Sequence, residues 1–202
     1  PLATRADSKI CDLVPGNYLQ DPEFMQRTPT GRLENWTSTQ HAGERSFALE
    51  FDDAVLTITK TGTQPWLSFR QIVTTDELAG KKLALSAELK FDLHNTGLNH
   101  GFAAGGGLTL VARSSSAEGR RLLLRSIFDH QPNLGKTDWV MVQVVVEAPE
   151  KTGTIEAGFK HQAEGTLQIR NPSLQLVDES AEPCQLSPNP ILGVPRPSSG
   201  LR

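Results

Sequence analysis

Apolar and polar residues alternate along most of the chain between positions 46 and 178, and a period of two residues is typical of β-strands. The clearest case is segment 81–93, in which one face would carry Leu83, Leu85, Ala87, Leu89 and Phe91. Segment 138–149 is rich in valine, which favours a strand over a helix. The pattern therefore predicts a chain built mainly from strands.

Short turn signals separate the alternating segments. The predicted strands are 46–51, 54–61, 65–73, 81–93, 107–113, 120–129, 138–149, 154–162 and 166–178. Only segment 74–82 could form a helical turn, with Thr75 or Asp76 as its cap and Gly80 at its end. Many short strands separated by turns predict an all-β fold, an antiparallel sandwich of two sheets.

The last two predicted strands are interrupted twice, by His161-Gln162 and by Asn171-Pro172. We predict a turn at Glu164-Gly165 that joins them as the closing hairpin of the sandwich. His161 would share a strand face with Phe159, which is typical of a half-buried histidine whose ring nitrogens are hydrogen-bonded rather than of a catalytic one.

Composition divides the chain into three parts. Residues 1–16 form an irregular N-terminal segment, 17–184 the sandwich domain, and 185–202 a flexible tail with four prolines. No apolar run reaches the roughly 18 residues of a membrane span, so we expect no membrane insertion. The first residues lack a basic and then apolar leader, so we expect any signal peptide to be absent or removed.

The formal net charge is −3, and the 20 lysines and arginines are dispersed along the sequence. Nucleic-acid binding requires a basic face. No such face is visible in the sequence, so we expect no nucleic-acid partner.

The two cysteines, Cys11 and Cys184, lie near the two ends of the predicted domain. They could be free buried thiols or one disulfide. Their position, without a CxxC motif or a histidine cluster, favours the disulfide over a zinc site. A disulfide would indicate an oxidising compartment, the periplasm or the cell exterior.

Several short sequence segments, taken in their order along the chain, resemble a known family. They are "DPEF" (21–24), "LENWTS" (33–38), "RQIV" (70–73), "LAGKKLALSAELKF" (78–91), "TDWVMVQVVVEAPE" (137–150) and "GTLQIRNPSLQLVD" (165–178). Together they resemble the galactose-binding-like jelly roll of carbohydrate-binding modules, over about residues 17–178. The resemblance implies a jelly-roll topology for the sandwich.

Many members of that family bind a structural calcium between the N-terminal segment and the last strand. The matching residues here are Asp21, Glu23 and Asn171, where Asn171 replaces an aspartate. An amide oxygen can bind calcium, but a carboxylate binds it more strongly. The alternative is that Asp21 and Glu23 are solvated or cap a turn.

The resemblance also implies a sugar site on a sheet face or in the end loops. Trp36 stands where the family has a core tryptophan, and Trp139 precedes a valine-rich face, so we expect both to be packed. Alternation places Trp66 with Arg70 on a polar face, as a glycan platform requires. Its candidate polar partners, all of which could lie on one sheet face, are Glu88, Lys90, Arg125 and Gln143.

Residues 94–107 form a long loop with five glycines. The loop holds His94, Asn99 and His100, which are further candidates for glycan contact; a surface insertion without a ligand is the alternative. The two histidines are six residues apart without a metal-ligand pattern, and no helix follows the glycines as a nucleotide loop would need.

Catalytic motifs are sparse. A glycosidase needs a pair of carboxylates, for which Glu88 with Asp92 or Asp129 are the possibilities. A polysaccharide lyase of jelly-roll type would need a tyrosine on the sheet, whereas the sole tyrosine, Tyr18, lies before the first predicted strand. We therefore expect no catalysis and no cofactor other than the calcium.

The sequence favours a non-catalytic carbohydrate-binding module of a secreted or periplasmic protein, one domain of a longer chain. The alternative is a protein-interaction or sensory domain of a bacterial envelope protein. The third hypothesis is a polysaccharide-processing enzyme.

Overall fold

The computed structural model describes residues 10–95, 102, 104–127, 133–180, 183–187 and 191–192. Within them it has eleven strands and two short 3-10 turns, Asp76–Leu78 and Ser116–Glu118. The strands are β1 (Thr37–Gln40), β2 (Phe47–Asp52), β3 (Val55–Lys60), β4 (Leu67–Thr74), β5 (Lys82–His94), β6 (Gly106–Ser114), β7 (Leu122–Ile127), β8 (Gly135–Glu147), β9 (Thr152–His161), β10 (Glu164–Leu176) and β11 (Ile191–Leu192).

The strands form two antiparallel sheets. One has six strands in the order β1-β4-β9-β6-β7-β11, and the other has five in the order β2-β3-β10-β5-β8. From β4 to β10 the chain repeatedly crosses from one sheet to the other, so strands adjacent in sequence are seldom neighbours. The predicted all-β jelly-roll sandwich is confirmed.

The core fills the space between the sheets. On β5 the predicted apolar face is buried, with Leu83, Leu85 and Leu89 fully enclosed. Trp36 lies in the core as predicted, stacked on Phe69 with ring centroids 5.2 Å apart, and its indole N–H donates to the carbonyl oxygen of Asp21. The N-terminal segment thus contributes to the core before the first strand begins.

Two strands of the structure were not predicted from the sequence pattern. β1 has the sequence TSTQ, which carries no apolar alternation, and it pairs with β4 at an edge of the six-stranded sheet. β11 is two residues long and pairs with β7. The helical turn predicted in 74–82 is present as the 3-10 turn Asp76–Leu78, with Thr75 as its cap.

The predicted closing hairpin is wrong. β9 ends at His161 in the six-stranded sheet, whereas β10 begins at Glu164 in the five-stranded sheet. Gln162 and Ala163 carry the chain between the two layers. Gly165 has φ +103°, and a Cβ there would meet the carbonyl oxygen of Asp92, so only glycine fits this crossing.

His161 is completely buried where the chain crosses. Its ring packs edge-on against Phe47 of the other sheet, its Nε2 hydrogen-bonds the Gly165 carbonyl oxygen at 3.2 Å, and its Nδ1 lies 3.5 Å from the Ala163 N–H. Burial lowers the pKa of His161 to about 4, so the ring is neutral at pH 7. This agrees with the predicted packed, hydrogen-bonded histidine.

The second interruption, Asn171-Pro172, is a β-bulge. Arg170 pairs with Glu88 and Ser173 with Ser86, which leaves two residues of β10 opposite one of β5. Asn171 has φ +52°, and proline is tolerated here because the bulge needs no ladder N–H from it. Asn17 holds the bulge, since its amide donates to the Pro172 carbonyl oxygen at 3.1 Å.

A disulfide joins Cys11 to Cys184, which confirms the predicted bridge. The two bridged segments lie on the outside of the five-stranded sheet, where Cys11, Leu13 and Cys184 cover Ala84 and Val145. Ser187 extends this cover by exchanging hydrogen bonds of 2.8 Å with the backbone of Val145. We call residues 11–13 and 184–187 the terminal clasp.

Candidate functional site

The outward side chains of the five-stranded sheet, here called the five-stranded face, form rows that cross the strands. One row crosses all five strands, and its members are Glu50, Thr57, Gln168, Lys90 and the pair Asp138-Trp139. Five strands about 4.8 Å apart make this row about 19 Å long. A row of this length can meet several units of an extended ligand.

A β-bulge brings Trp139 to the end of that row. Leu89 pairs with Val140 and Phe91 with Thr137, so Asp138 and Trp139 together oppose Lys90. Trp139 is half-buried on the outer face, and the expectation that it packs in the core is wrong. The core-facing residues of β8 are the even-numbered valines, and Trp139 belongs to the other set.

The guanidinium of Arg170 lies over the Trp139 ring, 4.2 Å from its centroid. The same guanidinium is bound to Glu88, with Nε 2.7 Å from Oε2 and Nη2 3.2 Å from Oε1. Asn171, in the β10 bulge, donates a 2.7 Å hydrogen bond from Nδ2 to Glu88 Oε2. The indole, the guanidinium and the carboxylate therefore form one ordered array, which we call the Trp139 array.

The charges of the array are fixed by their contacts. Hydrogen bonds from Arg170 and then from Asn171 hold the pKa of Glu88 below its ordinary value, and the Glu88 contact raises the pKa of Arg170. The backbone N–H of Trp139 and the nearby Lys90 ammonium lower the pKa of Asp138. Glu88 and Asp138 are thus ionised throughout the neutral range.

Polar groups suited to hydroxyl recognition flank the array. Gln168 donates from Nε2 to Thr57 Oγ1 at 3.2 Å, and its amide oxygen is an acceptor. Met141, opposite Glu88 in the register, is 45% exposed and adds an apolar surface beside the charges. An aromatic ring with paired donors and acceptors around it is the combination that binds a sugar ring and its hydroxyls.

The terminal clasp bounds this face on one side. Gln143 accepts a 2.9 Å hydrogen bond from the Cys11 N–H and donates one of 3.2 Å to Ser86 Oγ. Beyond Gln143, the clasp covers the sheet. Gln143 was predicted as a glycan contact, and the structure places it at the border between the clasp and the open rows.

The predicted site residues do not share one face, and that expectation is wrong. Glu88, Lys90 and Gln143 lie on the five-stranded face, whereas Arg70 belongs to β4 and Arg125 to β7 of the six-stranded sheet. The cause is the jelly-roll crossing, because β4 and β5 follow each other in sequence but lie in opposite layers.

Trp66 stands at the start of β4 on the outside of the six-stranded sheet and is half-buried, as the alternation predicted. Lys160 Nζ lies 5.3 Å from its ring centroid, and the His41 ring meets it edge-on at 6.1 Å. The exposed Phe102 packs on the far side of His41 at 6.3 Å. Trp66 and Trp139 are therefore two separate aromatic positions on opposite faces.

Some candidate residues of the predicted loop 94–107 are among the described residues. His94 ends β5, and its Nε2 lies 2.9 Å from Asp92 Oδ1. Asn99 and His100 lie outside the described residues, and so does Asp129.

The residues suggested for calcium have other partners. Both carboxylate oxygens of the buried Asp21 accept backbone N–H groups, from Met25 at 2.7 Å and Gln26 at 3.0 Å, so Asp21 caps a turn. Glu23 is exposed, and the Asn171 amide binds Glu88. Within the described ranges no cluster of three or more Asp, Glu, His or Cys side chains could hold a metal. Calcium at Asp21, Glu23 and Asn171 stays a prediction.

The carboxylate pair considered for glycosidase chemistry is far apart on its strand. Glu88 and Asp92 point outward from β5 four residues apart, which is about 13 Å along an extended chain. Paired catalytic carboxyls lie about 5 to 9.5 Å apart. Each carboxylate also has its own partners, Arg170 for Glu88 and Lys136 and His94 for Asp92.

Comparison with known proteins gives a likeness of fold. No family model and no curated protein matches the chain. Among solved structures, the enzymatically active domain of tailspike protein 4 of bacteriophage CBA120 matches with a TM-score of 0.53 and 14% identity, over 80% of this chain and 21% of that one. This chain thus spans about a fifth of the length of that tailspike domain.

Two further matches are carbohydrate-binding modules. A CBM4 module is 15% identical over 78% of this chain and 99% of its own, with a TM-score of 0.49. TmCBM61, solved in complex with β-1,4-galactotriose, is 13% identical over 80% of this chain and 99% of its own, with a TM-score of 0.47. Carbohydrate-binding modules are thus among the solved structures that are similar to this chain. In the part of the chain that the structure describes, no helix has the length and apolarity needed to cross a membrane.

Sequence reasoning missed most members of the row and array, and the most important of these are Trp139, Arg170 and Gln168. Alternation could have found two of them, because Gln168 and Arg170 flank Ile169 on β10 as Glu88 and Lys90 flank Leu89 on β5. No local pattern shows that Arg170 reaches across β5 to Trp139, since that contact depends on the order of strands in the sheet.

Proposed function

We propose that the chain is a non-catalytic carbohydrate-binding module that holds a glycan across the five-stranded face. The observation that carries the proposal is the Trp139 array, in which an indole ring, a guanidinium and an ionised carboxylate are held together at the end of a polar row. The carbohydrate-binding-module fold agrees with it.

The chemistry of the face suits a chain of uncharged sugars. The ring of Trp139 and the side chain of Met141 can contact the apolar face of a pyranose. Glu88, Arg170 and Gln168 can pair with adjacent hydroxyls, because Glu88 accepts, Arg170 donates and Gln168 does both. Since Arg170 and Glu88 already hold each other in place, little side-chain entropy is lost when a sugar binds.

The row would bind a polymer rather than a single sugar. Its length of about 19 Å offers contacts to successive units, and several weak contacts along one chain combine into useful affinity. The Cys11–Cys184 bridge supports the second part of the proposal, an extracytoplasmic location, because such bridges persist in oxidising compartments.

Affinity electrophoresis in gels that contain neutral polysaccharides tests the proposal. We expect the protein to be retarded by at least one of them, Trp139→Ala to migrate freely in that gel, and Trp66→Ala to be retarded like the wild type. Trp66 is the matched control because it is also a half-buried tryptophan on an outer face. Equal retardation of Trp139→Ala and wild type would reject the site, and capture of a protein partner instead of a glycan would favour an interaction domain.

A further inference from the structure

The outer face of the six-stranded sheet, here called the six-stranded face, collects positive charge. The described outward positions of β4, β6, β7 and β9 carry four cations and one carboxylate, namely Arg70, Arg113, Arg125, Lys160 and Glu156. These cations are dispersed along the sequence, and only the order of the strands brings them together.

Two of the arginines share the single carboxylate. Arg113 Nε lies 2.6 Å from Glu156 Oε1, and Arg70 Nε lies 3.3 Å from Glu156 Oε2. One negative charge between two guanidinium groups leaves a net positive charge at this place. Arg113 thus already presents an N–H to a carboxylate on this sheet. Arg70 Nε is buried and makes no hydrogen bond to Glu156, and its Nη1 donates to Thr39 Oγ1 at 3.2 Å.

Two of the central positions of the face are glycines. Gly158 pairs with Arg70 on one side and Thr109 on the other, and Gly107 pairs with Lys160. A Cβ at Gly158 would meet the carbonyl oxygen of Phe69, so the strand approaches too closely for any other residue. Gly107 and Gly158 are buried backbone positions without a side chain of their own, and we call them the floor of the face.

Trp66 forms the rim of this floor. Lys160 lies over its ring, and His41 and Phe102 extend the aromatic surface beside it. Trp66 and Arg70 are four residues apart, or about 13 Å along the strand, so a ligand that meets both must be longer than one sugar ring. An aromatic rim with a cationic floor fits pyranose rings that carry acid groups.

We propose that the six-stranded face is a second binding site, and that its ligand is an acidic polysaccharide whose pyranose units bear carboxylates. The rings stack at Trp66, and the carboxylates meet Arg70, Arg113 and Arg125. This site does not depend on the neutral-glycan site of the five-stranded face, because the two lie on opposite sides of the sandwich.

Isothermal titration calorimetry with polygalacturonate in low salt tests the second site. We expect Trp66→Ala and Arg125→Glu each to weaken binding by about tenfold or more, and binding to fall further as salt rises. Neutral β-1,4-galactan should not compete at this face, and Trp139→Ala should bind polygalacturonate like the wild type.

Lys136→Glu is the matched control for charge. It changes the net charge as Arg125→Glu does, but Lys136 lies in β8 of the other sheet, with its side chain 81% exposed. Retained binding in Lys136→Glu, with thermal unfolding of all variants unchanged, supports a located site. Equal losses in Lys136→Glu and Arg125→Glu, unchanged binding in Trp66→Ala, or equally tight binding of single-stranded DNA would overturn the proposal in favour of general attraction between charges.

Discussion

The two outer faces of the sandwich differ in charge and in the setting of their tryptophans. On the five-stranded face the carboxylates Glu50, Glu88, Asp92 and Asp138 stand among the cations Lys90, Lys136 and Arg170, and Trp139 lies beneath one of these cations. The described outward positions of the six-stranded face carry four cations and one carboxylate, and Trp66 stands at the rim.

The comparison shows that one fold can present two unlike surfaces from the same strand alternation. The inward residues of both sheets are mostly apolar because they share one core. The outward residues are free of that constraint, so each face has its own balance of charge. A face that mixes carboxylates with cations favours neutral hydroxyls, and a face with an excess of cations favours acid groups.

Breaking the disulfide of the terminal clasp should have the largest effect on stability. It should also affect ligand binding differently on the two faces. Replacing both cysteines by serine (Cys11→Ser with Cys184→Ser) removes a cross-link between residues 173 apart, and the loss of a native disulfide costs about 2–5 kcal/mol of unfolding free energy. Urea unfolding of the variant and the wild type measures the loss.

Because the clasp lies on the five-stranded sheet alone, the same variant should lose neutral-glycan affinity and keep polygalacturonate binding when both are measured well below the unfolding midpoint. An unchanged urea midpoint would show that the clasp contributes nothing to stability. Parallel losses of both ligands would remove the distinction between the faces.

Acid should destabilise the whole sandwich, and with it both faces, through His161. This residue belongs to one sheet and packs on Phe47 of the other. Its pKa is lowered to about 4 by burial, partly offset by the Gly165 carbonyl, with Lys60 and Glu164 close by. Between its ordinary pKa of 6.5 and a pH of about 4, the His161 ring binds a proton in the unfolded chain but not in the folded protein. The free energy of unfolding therefore falls as the pH drops through this range, by up to about 3 kcal/mol.

Urea unfolding at a series of pH values between 7.5 and 4.5 measures this effect. His161→Gln should flatten the curve, whereas His41→Gln, a change of an exposed histidine, should leave it intact. A curve of equal slope in wild type and His161→Gln would contradict the assignment of the proton to this ring.

Replacing each exposed tryptophan by alanine, one at a time, compares how much the two faces contribute to ligand affinity. Trp139→Ala removes the ring under Arg170, and we expect about a tenfold loss of neutral-glycan affinity, because an aromatic contact contributes roughly 0.5–1.5 kcal/mol beyond the area it buries. Calorimetry with a soluble oligosaccharide measures the loss. Trp66→Ala, with the same loss of ring area, should leave that affinity unchanged, and the reverse result would exchange the two sites.

Replacing a carboxylate on each face should have the smallest effect, in opposite directions. Glu88→Gln removes the carboxylate that binds Arg170 and should lower neutral-glycan affinity a few-fold. Glu156→Gln removes the one carboxylate at the described outward positions of the six-stranded face and should raise polygalacturonate affinity a few-fold. Equilibrium titrations of the two variants measure both changes. Shifts of the same sign for both would mean that the carboxylates act only through the net charge of the protein.

The pH dependence of the neutral-glycan site provides a further check on Glu88. Because hydrogen bonds from Arg170 and Asn171 lower the pKa of Glu88 below its ordinary value of 4.5, the carboxylate stays charged as pH falls from 7 to 5. Neutral-glycan affinity should therefore be flat over that range in a titration. A loss of affinity centred near pH 6 would indicate that another group controls the site.

Much of the fold follows from local pattern. The alternation of β5 fixes which of its residues are buried, the end positions of Cys11 and Cys184 agree with their bridge, and the place of Trp36 in the family pattern agrees with its burial. Each of these features depends on residue type and spacing in one or two short segments.

The sites depend on contacts between distant segments, which local pattern does not contain. Glu88 and Arg70 look alike in sequence, and only the crossing between β4 and β5 places them on opposite faces. The bulge at Asp138-Trp139 and the positive φ of Asn171 position the Trp139 array, and both arise from register within the sheet. Candidate residues could therefore be named from sequence, while their grouping could not.

Intrinsic tryptophan fluorescence tests the central claim most directly, because Trp36 is buried and only Trp66 and Trp139 are half-exposed. A neutral oligosaccharide that retards the protein in a gel is titrated into Trp66→Phe and Trp139→Phe, and the emission and its quenching by acrylamide are followed. The account predicts a saturable change with protection from acrylamide in Trp66→Phe, and none in Trp139→Phe. A saturable change that persists in Trp139→Phe and disappears in Trp66→Phe would contradict it.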